Sequence, residues 1–130
     1  MSASLPTAPV ISDYSGGKFV FSDQSHEGPI MIIGEDGSGF SILPWYVRDR
    51  ETLSIDDFAA ALASPHRPDL MIVGVGEMMN HPFMELRRDL NAAGLPAEIL
   101  TTAAACRTWN LLLSEGRKVA LAALEVSEKG

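Results

Sequence analysis

The sequence predicts an α/β domain that combines a strand–helix–strand–helix–strand unit with an antiparallel hairpin. Three apolar runs, at residues 70–73, 97–100 and 118–126, are typical of short buried strands. Helical patterns over residues 82–93 and 102–115 separate these runs. Strands that alternate with helices characterise α/β layer folds, and the connection through residues 82–93 is long enough to return the second strand parallel to the first.

Local signals set the expected ends of these two helices. Asn80 is a suitable N-cap for the first helix, Pro82 fits its first turn, and Gly94 suits the position just beyond its end. Thr102 is the predicted N-cap of the second helix, and Gly116 is its predicted C-terminal stop.

The first half of the chain predicts a smaller β portion. Residues 18–21 are predicted as a short strand, and residues 23–28 as a polar connection. Residues 29–33 and 39–43 flank an Asp-Gly dipeptide, which tolerates the positive φ that tight hairpins need. We therefore expect residues 29–33 and 39–43 to pair as an antiparallel hairpin beside the α/β unit.

A short helix is predicted to follow the hairpin. Ser54 is a good N-cap, and Asp57 stands three residues later, where an acid completes a capping box. The segment 64–68, which holds two prolines around His66, is expected to end this helix as a loop.

Length and composition point to one globular domain. The chain has 130 residues, of which 46% are hydrophobic, and that supports one sizeable core. We expect residues 1–9 to form a flexible leader and residues 10–130 to form the single domain.

Charge and cysteine content exclude several functional classes. The net charge of −7, with 17 acidic and 10 basic residues, argues against nucleic-acid binding, which needs clustered Lys and Arg. One cysteine excludes an internal disulfide and fits a reducing compartment. No apolar run approaches the roughly 20 residues that span a bilayer. We expect a cytoplasmic, bacterial protein without a metal or cofactor.

One candidate ligand site lies where the carboxyl end of the first parallel strand meets the start of the second helix. Open α/β sheets place ligands at that edge, and a helix N-terminus next to Arg107 would favour an anion and lower the pKa of Cys106. The residues assigned to this site are Gly74, Val75, Gly76, Thr102, Cys106, Arg107 and Asn110.

Other observations weaken this site. The dinucleotide fingerprint would need a third glycine where Met79 stands, and Glu77 is a negative charge where phosphate would sit. The ordinary interpretation is a tight strand-exit turn. A nucleophilic Cys106 would need His81 as its base, whereas a lone cysteine is more often a small buried hydrophobe. No catalytic residue is assigned.

A second candidate region consists of Pro44, Trp45 and Tyr46. Pro44 marks a strand edge or bend, because proline cannot donate to a sheet ladder. The two aromatic residues fit either a core plug or an interaction surface. A homodimer formed through this segment or through an edge strand is a further hypothesis.

The run at residues 102–120 resembles the signature of one small family. Its sequence is TAAACRTWNLLLSEGRKVA. The family includes mitochondrial complex I assembly factor 3, the adipogenesis-associated domain protein and bacterial proteins of unknown function. The glycine turn at residues 74–76 and the Pro44-Trp45 pair also resemble family motifs, and the match covers residues 14–126. Thr101 departs from the pattern, which has an acid there.

The resemblance implies a three-layer fold, with a central mixed sheet, flanking helices and a small β layer. It implies no catalytic activity. The leading hypothesis is a non-enzymatic interaction or assembly factor, with respiratory complex I subunits or assembly proteins as partners. The alternative is an anion-binding protein or enzyme that uses the 74–76 turn and the start of the 102–115 helix. Within the signature, Asn110, Glu115 and Arg117 are expected to bond loop backbones more readily than a ligand.

Overall fold

The computed structural model describes residues 9–22, 24–34 and 39–127, and the backbone of residues 4 and 5. The predicted leader, residues 1–9, and the Asp-Gly turn of the hairpin lie largely outside these residues.

Eight strands and three helices, the first extended by a 3₁₀ turn, make up the described part of the chain. The strands are β1 (Ser4–Leu5), β2 (Lys18–Val20), β3 (Ser25–Glu27), β4 (Ile30–Gly34), β5 (Phe40–Pro44), β6 (Leu70–Gly74), β7 (Ala97–Leu100) and β8 (Val119–Ala123). The helices are α1 (Ala59–Ala63), which continues a 3₁₀ turn at Ile55–Phe58, α2 (Met84–Ala92) and α3 (Thr102–Ser114).

The central sheet is mixed and has the strand order β1-β5-β4-β8-β6-β7. Strand β6 pairs in parallel with both β7 and β8, which confirms the predicted strand–helix–strand–helix–strand unit. Strand β4 pairs antiparallel with β5 and with β8, so the predicted hairpin is confirmed and is joined directly to the parallel unit.

The sheet separates two hydrophobic clusters, which confirms the three-layer architecture. On one face, Leu86 and Leu90 of α2 pack with Phe58, Met71 and Val73. Helix α3 and the small sheet of β2 and β3 cover the other face. Successive side chains of a strand point to opposite faces, so β6 supplies Ile72 to that second cluster.

The polar connection predicted at residues 23–28 is wrong in part, because Ser25–Glu27 forms β3 and pairs antiparallel with β2. The strand is exposed at Ser25 and Glu27, so it carries no apolar alternation that a sequence pattern could detect. The last strand, predicted to reach residue 126, ends at Ala123.

Both predicted N-caps of the long helices are wrong. Helix α3 is capped by Thr101, whose side chain accepts a hydrogen bond from the Ala104 amide, and Thr102 is the first helical residue. Helix α2 starts at Met84, and its N-cap position is held by Phe83 in a left-handed conformation (φ 53°) without a side-chain cap. The predicted caps at Ser54, with its Asp57 capping box, and at Gly94 and Gly116, both with positive φ, fit the structure.

Candidate functional site

Four co-oriented strands end together at one edge of the sheet. The register places Pro44 of β5 and Ala123 of β8 opposite the same residue of β4, Ile30. Gly74 of β6 lies opposite both Ala123 and Leu100 of β7. This row is the carboxyl edge of the sheet, so both regions singled out in the sequence lie at the same edge.

The approach of α3 to this edge depends on Gly74. A Cβ at Gly74 would lie 3.0 Å from the Thr102 Cα and 3.1 Å from the Ala105 Cβ. Because two carbon atoms at such distances overlap, only glycine allows the first turn of α3 to sit this close to β6.

The Thr102 hydroxyl joins three chain segments at this point. Its Oγ1 accepts a hydrogen bond from the Gly76 amide (2.9 Å) and donates one to the Leu124 carbonyl (2.6 Å). The Leu124 amide donates in turn to the Gly74 carbonyl (2.8 Å). Thr102 is fully buried, so these bonds form without competing water. We call Gly74, Gly76, Thr102 and Leu124 the carboxyl-edge junction.

Backbone amides at the start of α3, which an anion would need as donors, already donate hydrogen bonds within the protein. The Thr102 amide donates to the Gly76 carbonyl (2.9 Å), and the Ala104 amide donates to the Thr101 hydroxyl (3.4 Å). Thr101 takes the position where the family pattern has an acid, and it acts there as a helix cap. The first turn of α3 is therefore satisfied largely by the protein itself.

Cys106 has the character of a core residue. Its side chain is 2% exposed, and burial raises the pKa of its thiol to about 12 despite the opposing charge of Arg107. The expectation of a lowered pKa is therefore wrong, because desolvation outweighs the nearby charge. His81, the proposed base, instead places its Nε2 3.2 Å from the Glu51 carbonyl and stacks on Phe83.

Two further signature residues bind the segment that precedes β2. The Asn110 side chain accepts a hydrogen bond from the Ile11 amide and donates one to the Ile11 carbonyl, both at 2.9 Å. The Trp109 Nε1 donates to the Pro9 carbonyl at 3.0 Å, and its ring is fully buried. Asn110 therefore bonds loop backbone as expected. Together with the Trp109 bond, its two hydrogen bonds attach helix α3 to the segment that leads into β2.

An open cleft of about 280 Å³ lies beside the junction, outside α3. Arg50 and Glu125 form an ion pair at 2.7 Å on its wall. The contact of His81 with Glu51 brings the segments after β5 and after β6 together. The residues that line this cleft are Arg50, Glu51, Val75, Gly76, Glu77, Met78, Asn80, His81, Phe83, Leu124 and Glu125.

Three exposed apolar side chains lie on the chain segments that build this cleft: Met78 lines it, Met79 follows Met78, and Tyr46 lines a separate groove with residues of the segment 47–57. Tyr46 is 84% exposed, Met78 is 70% exposed and Met79 is 40% exposed. Trp45 is buried instead, where it packs on Phe58 and donates from Nε1 to the Asp57 carbonyl at 2.7 Å. In the segment Pro44, Trp45 and Tyr46, the aromatic side chain that a partner can reach is therefore Tyr46.

Sequence reasoning missed the two methionines of the loop after Gly76. The signal was present, since two consecutive large apolar residues directly follow a strand-exit turn and precede the helical pattern. The dinucleotide interpretation considers only Met79, which stands in place of a glycine, and assigns neither methionine to a surface.

Neither a metal site nor a membrane span emerges from these elements. Across residues 9–22, 24–34 and 39–127, no group of three or more His, Cys, Asp or Glu side chains is placed to hold a metal ion. No helix in the same residues is long and apolar enough to cross a membrane.

The fold and the junction define a small α/β domain with a mixed sheet. At its carboxyl edge, hydrogen bonds within the protein fill the site at the start of α3. A family model described as "Protein of unknown function (DUF498/DUF598)" matches residues 11–124, and the chain belongs to this family.

Similar proteins include both bacterial and animal members. An uncharacterized protein of Rhodobacter capsulatus is 35% identical over 88% of this chain and 82% of its own length. A crystal structure described as an outer membrane protein from Bartonella henselae superposes with a TM-score of 0.74, at 31% identity, over 93% of this chain and 98% of that one.

A more distant relative carries a functional name. NADH dehydrogenase [ubiquinone] 1 alpha subcomplex assembly factor 3 of Xenopus tropicalis is 26% identical over 88% of this chain. The match spans 59% of that protein's length, so the chain corresponds to a little over half of it.

Proposed function

We propose that the chain is a non-enzymatic interaction protein that binds a subunit of NADH dehydrogenase, or a protein that assembles it, through the surface around the carboxyl-edge cleft. The similarity to assembly factor 3 of complex I supports the class of partner. The observation that carries the location is Met78, a 70% exposed apolar side chain in the lining of this cleft. Exposed Met79 follows it in the same loop, and exposed Tyr46 lies on the segment that leads to Arg50 of the cleft wall.

The chemistry of this surface suits a protein partner. Methionine side chains are flexible and polarizable, so they adapt to irregular apolar surfaces. Tyrosine provides a large contact area together with a polar hydroxyl, which is common at interfaces. The Arg50–Glu125 pair and the exposed Glu77 supply a polar rim, which is usual around an apolar interface centre.

The structure of the junction supports the non-enzymatic part of the proposal. Thr102 and Asn110 have their polar atoms engaged with the protein backbone, and the Cys106 thiol is buried and protonated at neutral pH. These residues therefore act in folding, and the accessible surface lies next to them. We also place the protein in the cytoplasm, which cell fractionation tests directly.

The test is affinity purification of the tagged protein from its native host, read by mass spectrometry. We expect wild type to enrich NADH dehydrogenase subunits or their assembly proteins. Tyr46→Ser combined with Met78→Ser should abolish that enrichment at unchanged stability, because both side chains are exposed.

Val10→Ser is the matched control, since Val10 is also apolar and 52% exposed but lies before β2. Equal recovery from the double variant and from wild type would contradict the assigned surface. Light scattering of the purified protein tests the homodimer hypothesis against the 14.0 kDa of a single chain.

A further inference from the structure

A second surface lies on the opposite side of α2 from the core, along the edge strand β7. Strand β7 is the last strand of the central sheet, and its strand neighbour is β6. The Pro96 and Leu100 carbonyls accept hydrogen bonds from the β6 side, from Met71 (2.7 Å) and Val75 (2.9 Å). In a parallel ladder alternate residues of an edge strand face away from the paired strand, so the N–H and C=O groups of Ala97 and Ile99 point outward, with no strand beside them among the described residues.

A groove of about 430 Å³ runs beside this edge. Four of its lining residues, Met84, Arg87, Arg88 and Asn91, recur at the i, i+3, i+4, i+7 spacing of one helix face, and all four are exposed. The groove is completed by Pro96 and Ala97 at the start of β7. Its lining therefore combines two guanidinium groups, an amide and small apolar surfaces, without a carboxylate.

Charged residues of both signs lie on α2. Glu85 is spaced i, i+3 from Arg88 and i, i+4 from Asp89, so it lies between the arginine stripe and Asp89 on the helix surface. Among the described residues, Arg50 and Glu125 form an ion pair, and neither Arg87 nor Arg88 lies within ion-pair distance of a carboxylate. Within the described residues, the Arg87 guanidinium makes one long hydrogen bond, 3.5 Å from Nη2 to the Pro82 carbonyl. Although the chain has a net charge of −7, Arg87 and Arg88 therefore form a basic stripe beside the edge strand β7.

We propose that the β7 edge binds an extended acidic peptide segment of a partner protein, which adds a strand to the sheet. The peptide backbone pairs with Ala97 and Ile99, as in other cases of strand addition. Alternate side chains of the added strand then point toward α2, so acidic residues two apart meet Arg87 and Arg88. This surface is separate from the carboxyl-edge cleft, and the inference does not depend on the function proposed above.

The test is fluorescence anisotropy with a labelled ten-residue peptide of alternating Glu and Val. We expect saturable binding, and we expect a matched Gln and Val peptide to bind at least tenfold more weakly, because arginine–carboxylate bonds are lost. Arg87→Gln combined with Arg88→Gln should weaken binding of the Glu peptide at least tenfold. Arg117→Gln combined with Lys118→Gln removes the same charge from another exposed basic pair and should leave binding unchanged.

Backbone pairing is tested separately with Ala97→Pro. Proline is tolerated on edge strands where the N–H faces outward, so this variant keeps the ladder to β6 and removes one outward donor. We expect at least a fivefold loss of affinity, with slowed hydrogen exchange of the Ile99 amide when the peptide binds the wild-type protein.

Three outcomes would overturn the proposal. Loss of affinity with the arginine variants but unchanged Ile99 exchange and no effect of Ala97→Pro would show simple charge attraction. Equal effects of the two charge-removing pairs would show attraction without a site. A dimer in light scattering that Ala97→Pro dissociates would show that the edge is covered by a second copy of this chain.

Discussion

Two helices begin at the same edge of the sheet, and their first turns are built in opposite ways. Helix α3 starts with Thr101 as a cap and with Thr102 fully buried between Gly76 and Leu124. Helix α2 starts without a side-chain cap, at Phe83, after an exposed loop that lines an open cleft. Both helix N-termini carry a partial positive charge. The start of α3 is covered by the protein's own residues, whereas the start of α2 lies beside the open cleft.

The contrast separates residues that look functional in the sequence from surfaces that a partner can reach. The distinctive residues of the α3 region, Thr102, Trp109 and Asn110, hydrogen-bond the protein's own backbone. The exposed side chains of Tyr46 and Met78 lie in the loops after β5 and β6, just beyond the Pro44-Trp45 pair and the glycine turn. The sequence signature of this chain therefore marks how the layers are joined, and the proposed interaction surface lies beside it.

The largest effect is expected at Thr102. Thr102→Val keeps the shape of the side chain but leaves the buried Gly76 amide and Leu124 carbonyl without their partner. Buried groups left unpaired in this way cost about 3 kcal/mol of unfolding free energy together. Urea denaturation measures this loss. Thr102→Ser retains the hydroxyl and should lose only about 1 kcal/mol, and equal losses in the two variants would contradict the role of the hydroxyl.

The close approach of α3 to β6 is tested by Gly74→Ala. The added Cβ meets the Thr102 backbone at 3.0 Å, so the helix must shift. We expect a loss of about 2 kcal/mol from overpacking. Gly34→Ala in β4 is the matched control, because its added Cβ meets no atom within 4 Å. If thermal unfolding shows the two variants to be equally stable, the close contact does not constrain the fold.

The buried thiol predicts a pH dependence that is specific to α3. The folded-state pKa of Cys106 is about 12, above its ordinary value of 9.0. Below pH 9 the thiol is protonated in both states, so its stabilising contribution is fully present. As pH rises from about 9 toward 12, the unfolded thiol ionises first, and stability falls by about 2 kcal/mol near pH 10.5.

Cys106→Ala removes this dependence, so the measurement is the difference between the two pH profiles of unfolding free energy. Parallel profiles above pH 9 would show that Cys106 ionises freely in the folded protein. The same burial predicts slow reaction of Cys106 with thiol reagents in the native state and fast reaction in urea.

The smallest effect is expected at the cleft wall near α2. The Arg50 side chain is 49% exposed and its Glu125 partner is 21% exposed, so their ion pair is screened by water. Glu125→Gln should change the unfolding free energy by less than about 0.5 kcal/mol, and added salt should remove the difference. A loss above about 2 kcal/mol would show that this open wall is as structurally important as the junction.

The fold was largely predictable because its signals are local and agree with one another. Strands β6, β7 and β8 are apolar runs separated by helical periodicity, and glycines at positions 94 and 116 end the helices with positive φ. Strand β3 was not predictable, since its polar residues form a strand only by pairing with β2.

The candidate site was less predictable because it depends on contacts between distant segments. The sequence predicts Thr102 as a helix cap and as a ligand residue, whereas its role as a bridge from Gly76 to Leu124 requires the three-dimensional register. The start of α2 was missed because Phe83 adopts a left-handed conformation that is unusual for its residue type. In that conformation the Phe83 ring is buried and contacts the His81 ring.

The most direct test of the account is site-specific photocrosslinking in cells of the native host, with the photoreactive amino acid placed at position 78 or at position 10. Both positions are exposed, but only position 78 borders the carboxyl-edge cleft. The proposed interaction predicts a discrete adduct with an NADH dehydrogenase subunit or assembly protein from position 78 and none from position 10. Absence of any adduct from position 78, or the same adducts from both positions, would contradict it.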